Sequence, residues 1–290
     1  MEARAVLLLD IRMTTVRHII LAGVLTVLAG PAAAPALAGD EASSEYSSHY
    51  SSLRVLNGGK HADVWRSGIH ITMQEGWKTY WRVPGDGGVP PSFDWSGSEN
   101  LASIDVMMPL PHRFIDENGE GIGYKTEVIF PVDVKPVDPD KPVKLSLNMF
   151  YAVCNDICVP VQAQLKTSFD SSTASTTDKY RLMVARATVP VEADADRLSV
   201  QSLRQLETNG KIALEVSLKG IRSPSQADIF VEAEGNAYFR KPELVSTADD
   251  VTVWKISVDS FGETPSLAGK PVQLTIADGE TGLVHDGVLQ

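Results

Sequence analysis

The reactive chemistry of this chain is concentrated in two sulfurs. Cys154 and Cys158 are the only cysteines among 290 residues. They sit in the run Met149-Phe-Tyr-Ala-Val-Cys-Asn-Asp-Ile-Cys-Val-Pro160 with three residues between them. Such a pair has three uses: a structural staple, a soft-metal clip, or a dithiol that exchanges with other disulfides. Along one extended strand, residues four apart lie roughly 13 Å from each other, whereas a disulfide needs Cα atoms within about 7 Å. Bridging therefore requires a turn at Asn155-Asp156-Ile157, where Asn and Asp favour one. Closing so short a loop removes only roughly 2 kcal/mol of unfolded-state freedom, against about 4.7 for a 100-residue loop. That is weak scaffolding. It suits reversible exchange, in which both sulfurs stay adjacent in either state.

The neighbouring residues refine the three readings without closing any of them. No Lys, Arg or His adjoins the pair in sequence. Asp156, if near the sulfurs, disfavours a thiolate. Cys-x-x-x-Cys-x-Pro resembles the copper site of Sco-type chaperones, and two thiolates suit Cu(I). That fold, however, continues into further βα units, and here a Ser/Thr tract begins at Asp170. His61, His70 and His112 are the candidates for a third ligand. The chain has no Gly-x-Ser-x-Gly, His-Glu-x-x-His or phosphate-binding loop. Trp77, Trp81 and Trp95 read as core rather than as a ligand platform.

The elements that must position the cysteines are strands. Residues 1–38 read as a cleaved export signal: Arg17 and His18, the apolar run 19–29, then Ala36-Leu37-Ala38, with Met13 as an alternative start. No other apolar run reaches the roughly 18 residues of a membrane span. Export implies an oxidising compartment, the periplasm for a signal of bacterial type. Residues 39–52 are serine-rich and read as a flexible lead-in. From 53 to 170, short alternating runs are punctuated by Gly and Pro. One of these, 143–151, leads into the cysteines, and Phe114–Tyr124, with its Gly-rich run, reads as a mobile loop. Residues 171–190 read as a linker with a short helix, 179–187. Asp178 would cap this helix, and Tyr180, Met183, Val184 and Ala187 would share one side. Strand-like runs resume over 191–290, with Asn209-Gly210 as a hairpin turn. The expected class is all-β: two β-sandwich domains joined by a short helix and linker. Formal charge is −11. The signal is +1 and the remainder −12, which argues against nucleic acid as a partner.

Four stretches resemble a known family. They are Gly76-Trp-Lys-Thr-Tyr-Trp-Arg-Val-Pro-Gly-Asp86, Pro90-Pro-Ser-Phe-Asp-Trp95, Gly123-Tyr-Lys-Thr-Glu127, and Tyr151-Ala-Val-Cys154 through Cys158-Val-Pro160. Together they are similar to the N-terminal periplasmic region of DsbD/ScsB-type thiol:disulfide interchange proteins, and 190–290 resembles the second immunoglobulin-like module of ScsB-like members. The resemblance implies an immunoglobulin-like fold and a redox-active Cys154–Cys158 disulfide, with no cofactor and no metal. It also implies a cap loop over the disulfide, with Phe114, Ile122 or Tyr124 as the covering side chain. Tyr151 and Asp156 are site-lining candidates by their place beside the cysteines, with core packing as the favoured alternative for Tyr151. The implied partners are a separate membrane electron transporter or thioredoxin-like protein as reductant, and periplasmic disulfide-containing proteins as substrates. The family's membrane and thioredoxin-like domains have no counterpart in these 290 residues. The rival readings are a non-catalytic periplasmic adaptor with a structural disulfide, and a Cu(I)-binding protein using the two thiolates.

Overall fold

The computed structural model describes residues 43–116, 119–170, 174–194, 196–260 and 266–290. The export signal expected over residues 1–38 lies outside them. The first part of the chain runs through β1 (Glu45–Ser47), β2 (Ser51–His61), β3 (Val64–Met73), β4 (Lys78–Gly85), β5 (Ser92–Asp94), β6 (Leu101–Val106), β7 (His112–Asp116), β8 (Gly119–Lys125), β9 (Glu127–Pro136), β10 (Val143–Cys154) and β11 (Cys158–Phe169). One sheet has the order β1-β2-β3-β9-β6. The facing sheet has the order β11-β10-β4-β8-β7, with β5 also on β10. Alternation along each strand sends one set of side chains between the sheets. On β10 these are Val143, Leu145, Leu147, Met149, Tyr151 and Val153, packed with Trp77, Trp81, Phe130 and Leu165. Trp77 and Trp81 are thus core, and Trp95 packs at its edge.

The serine-rich lead-in is not all lead-in. Ser51 and Ser52 begin β2, and β1 pairs alongside it. Tyr50 stacks on Trp77 with ring centroids 4.1 Å apart. Two tyrosines among the serines, Tyr46 and Tyr50, supply the apolar contact that composition alone hides.

Helix α1 (Thr176–Ala187) follows. Its cap is Ser175, whose side chain accepts from the Asp178 N–H, three residues before the expected start. Asp178 turns inward, accepting from the Asn57 N–H at 3.2 Å and from Arg54. The expected apolar side is the outer one: Tyr180, Met183 and Val184 are exposed, and Leu182 and Ala185 are buried. The seat explains this reversal. Gly58 and Gly68 leave a groove on β2 and β3 into which the Leu182 methyls fit, and a Cβ at Gly68 would meet Leu182 at 2.4 Å.

The rest of the chain forms β12 (Val191–Glu192), β13 (Ser199–Thr208), β14 (Lys211–Lys219), β15 (Asp228–Ala233), β16 (Ala237–Phe239), β17 (Glu243–Ala248), β18 (Val251–Ser260), β19 (Pro271–Asp278) and β20 (Thr281–Val288). The sheets are β12-β20-β19-β15 and β13-β14-β18-β16, with β17 also on β18. Asn209 and Gly210 both have positive φ, 54° and 73°, which the two-residue turn between β13 and β14 requires. Both halves are immunoglobulin-like β-sandwiches. Phe230 and Ala277 of the second join the core of the first. No helix among the described residues is long and apolar enough to cross a membrane.

Candidate functional site: the cysteine hairpin and its cover

β10 and β11 pair without interruption from Val143↔Phe169 to Cys154↔Cys158. The chain reverses over Asn155-Asp156-Ile157, where the Asn155 N–H donates to the Ile157 carbonyl at 3.0 Å. The cysteines are joined by a disulfide, with Cα atoms 4.1 Å apart.

The two sulfurs have different surroundings, and sheet order is the cause. β11 is an edge strand, whereas β10 has β4 on its other side, with Lys78 opposite Cys154. Cys158 is exposed. Cys154 is fully buried, although it lies on the outer face of the sheet with Ala152. Its cover consists of Phe114 and Tyr80, which form a small apolar cluster with Ala152 and Cys154, separate from the main core.

Phe114 comes from β7, whose hairpin partner is β8. The glycines of β8 fall at alternate positions. Gly121 pairs with Phe114 across the hairpin, and a Cβ there would lie 2.1 Å from the Phe114 ring. At Gly123 a Cβ would lie 2.0 Å from the Thr79 carbonyl. The glycines thus form a flat bed for a phenylalanine and allow close approach to β4. The segment read as a mobile loop is, in its described residues, a paired strand. Residues 117 and 118 lie outside the described set.

Around the cover sit polar groups that the sequence did not single out. Lys78 is buried and ion-pairs with Asp116, with its Nζ 4.7 Å from the centre of the Phe114 ring. The Tyr80 hydroxyl lies 3.7 Å from Cys158 Sγ. Burial, and then the charge of Asp116, raise the Tyr80 pKa above its ordinary 10.0, so at neutral pH the phenol is a donor and the sulfur accepts. The signal for these residues was alternation in Gly76–Arg82: Trp77 and Trp81 face the core, so Lys78 and Tyr80 face the other way. The register that sets Lys78 opposite Cys154 was not in the sequence.

The other sequence candidates lie elsewhere. Ile122 and Tyr124 are on the inner face of β8 within the main core, and the Tyr124 hydroxyl donates to the Pro109 carbonyl at 2.8 Å. Tyr151 is also in that core, with its hydroxyl 2.9 Å from that of Ser51. Burial raises both phenols, Tyr124 strongly. Neither Ile122 nor Tyr124 covers the disulfide, and Tyr151 takes the core place favoured for it. Asp156 is exposed in the turn. Of the histidines, His61 and His112 are exposed. His70 is buried between Glu127, 3.0 Å from its Nε2, and Arg181, 3.5 Å from its Nδ1. Among the described residues, no three His, Cys, Asp or Glu side chains gather as a metal cluster.

Residues 60–170 match the family model described as thiol:disulfide interchange protein DsbD, N-terminal. This stretch is a DsbD N-terminal-like region. The DsbD-type match ends at the close of β11, and residues 161–286 match a domain of unknown function, DUF8393. Among solved structures, the N-terminal periplasmic domain of ScsB from Proteus mirabilis is 20% identical, with a TM-score of 0.68. The alignment covers 85% of this chain and 98% of that one, so the likeness in fold extends over both sandwiches. A conserved domain protein from Bacillus anthracis aligns over 80% of this chain and 75% of its own, with 8% identity and a TM-score of 0.20. No curated protein matches.

Proposed function

We propose that this chain is a periplasmic thiol:disulfide interchange protein, exported by its N-terminal signal, in which Cys154 and Cys158 carry two electrons between partners. The redox unit spans 53–170, the connector with its helix 171–190, and the second sandwich 191–290. The observation that carries the reading is the asymmetry of the pair: Cys158 exposed on an edge strand, Cys154 buried beneath Phe114 and Tyr80. A staple needs no such asymmetry. The unbroken β10–β11 ladder already holds the hairpin.

In the oxidised protein, a thiolate of the reductant attacks Cys158 Sγ, and the S–S bond breaks with its electron pair on Cys154. The reductant's second thiol then attacks its own sulfur in the mixed disulfide and releases Cys158. Two electrons and two protons have then been transferred. In the second half, the Cys158 thiolate attacks a substrate disulfide, one substrate sulfur leaves, and Cys154 resolves the mixed disulfide to restore the Cys154–Cys158 bond. The Tyr80 hydroxyl stabilises negative charge on Cys158 in both halves. Lys78, opposite Cys154 and paired with Asp116, places a positive charge on the same face. The reductant is a membrane electron transporter or a thioredoxin-like protein, and the substrates are periplasmic proteins with disulfides.

The test is trapping. A Cys154→Ser chain, expressed with its signal in a bacterial host, is expected to accumulate mixed disulfides through Cys158. Cys158→Ser is expected to accumulate few, because its remaining sulfur is covered. Equal trapping by both variants, or by neither, would overturn the proposal.

A further inference from the structure

The cap strand is itself held in place, and the grip comes from the second sandwich. Among the described residues, β7 is the last strand of its sheet, paired only with β8. Its neighbouring residues Arg113 and Phe114 point to opposite faces. Phe114 lies on Gly121 and covers Cys154. Arg113 points the other way, and its side chain is only 4% exposed. Its Nε donates to Asp228 Oδ2 at 2.9 Å and its Nη2 to Asp228 Oδ1 at 3.0 Å, a two-pronged contact with the first residue of β15. The same Nη2 reaches the Ile229 carbonyl at 3.2 Å. The guanidinium lies 5.1 Å from the centre of the Phe230 ring. Glu120, on β8, ion-pairs with the same arginine and accepts from the Lys241 N–H at 3.3 Å. Arg240 ion-pairs with Asp86, beside this hairpin. Both strands of the cap hairpin are thus anchored from behind by groups more than a hundred residues away.

A buried guanidinium held by two carboxylates is a rigid fixture. Removing Asp228 leaves the guanidinium on Glu120 alone, without its two-pronged acceptor on β15, and the planar fork fixes direction as well as distance. We propose that Arg113 and Asp228 are positioning residues for the redox pair: through them the second sandwich holds Phe114 over Cys154 and keeps that sulfur closed to attack, leaving Cys158 as the one that reacts. The proposal rests on the exchange function above. It gives the second sandwich, which has no cysteine of its own, a role in the chemistry.

The experiment measures the rate at which iodoacetamide alkylates Cys154 in the purified full chain carrying Cys158→Ser, read by mass shift. Phe114→Ala and Asp228→Asn, each added to that chain, are expected to speed alkylation by about tenfold, since loss of a charge-assisted hydrogen bond is enough for that shift in the cap's open population. The double variant is expected to be no faster than either single one, because both act through one side chain. Asp228→Glu, which keeps the charge, is expected to recover most of the protection. Near-UV circular dichroism identifies any variant whose sandwich is lost. Should Asp228→Asn be one, Arg113→Lys replaces it, keeping the charge without the fork, with the same acceleration expected. A fast Phe114→Ala beside an unchanged Asp228→Asn would overturn the brace and leave the cap in place. Multiplying rates in the double variant would also overturn it. Failure of exchange itself would show elsewhere, as absence of the trapped Cys158 adducts.

Discussion

A disulfide reacts at the sulfur that an incoming thiolate can reach, and here strand position decides which one that is. Cys158 has solvent beside it because β11 is an edge. Cys154 has β4 beside it and an aromatic cover above. The Tyr80 hydroxyl is the polar contact at the reachable sulfur. Tyr80→Phe is expected to slow alkylation of reduced Cys158 by iodoacetamide at neutral pH about threefold to fivefold, the equivalent of roughly 1 kcal/mol from one hydrogen bond. An unchanged rate would remove Tyr80 from the mechanism. At this scale the sequence was half legible. The cysteines and Phe114 stood out by type and by family pattern. Lys78 and Tyr80 did not, because they approach the pair across the sheet from 76 and 78 residues away. Ile122 and Tyr124 were drawn toward the site by the family pattern and Tyr151 by its place beside Cys154, yet strand alternation turns all three inward.

Glycine spacing explains the elements that composition misread. Gly119, Gly121 and Gly123 recur every second residue, which is the period of a strand face rather than of a loop. Gly121→Ala would put a Cβ against the Phe114 ring. It is expected to displace the cover and speed alkylation of Cys154 in a Cys158→Ser chain, with the fold retained. Gly123→Ala meets backbone instead, at the Thr79 carbonyl. It is expected to lower stability by about 1–3 kcal/mol in urea denaturation. Alkylation of Cys154 unchanged by Gly121→Ala would contradict the bed-and-cover arrangement. Helix α1 shows the same limit on reading an element alone. Its own pattern favours Tyr180, Met183 and Val184 as the packed side. The glycines that receive Leu182 are on β2 and β3, where no helical periodicity reports them. Leu182→Ala is expected to cost about 2–4 kcal/mol, whereas Met183→Ala, on the exposed face, is expected to stay within about 0.5 kcal/mol. Both are read by urea denaturation.

Across the whole molecule, the two sandwiches divide the work: one holds the sulfurs, the other braces their cover. The class was legible from short alternating runs and Gly/Pro punctuation. The contact between the halves was not, because Arg113, Asp228 and Phe230 carry no local signature of pairing. The second sandwich has its own acid sensitivity. Burial pushes the Asp278 carboxyl up, but hydrogen bonds from the Arg222 side chain and from the Arg222 and Ser223 N–H groups outweigh it, leaving the pKa below the ordinary 3.8. A carboxyl lowered on folding stabilises the protein fully above its unfolded pKa, and this contribution is lost as pH falls through the folded value. The melting-temperature gap between the wild type and Asp278→Asn is therefore expected to be widest at pH well above the ordinary 3.8 and to shrink as pH falls below it. The central claim is that Cys154–Cys158 is a working couple, and its reduction potential in glutathione or dithiothreitol buffers tests that most directly. A value clearly above about −300 mV is expected, within reach of thioredoxin-like partners. A value below about −300 mV would mark an inert structural bond and contradict the exchange function.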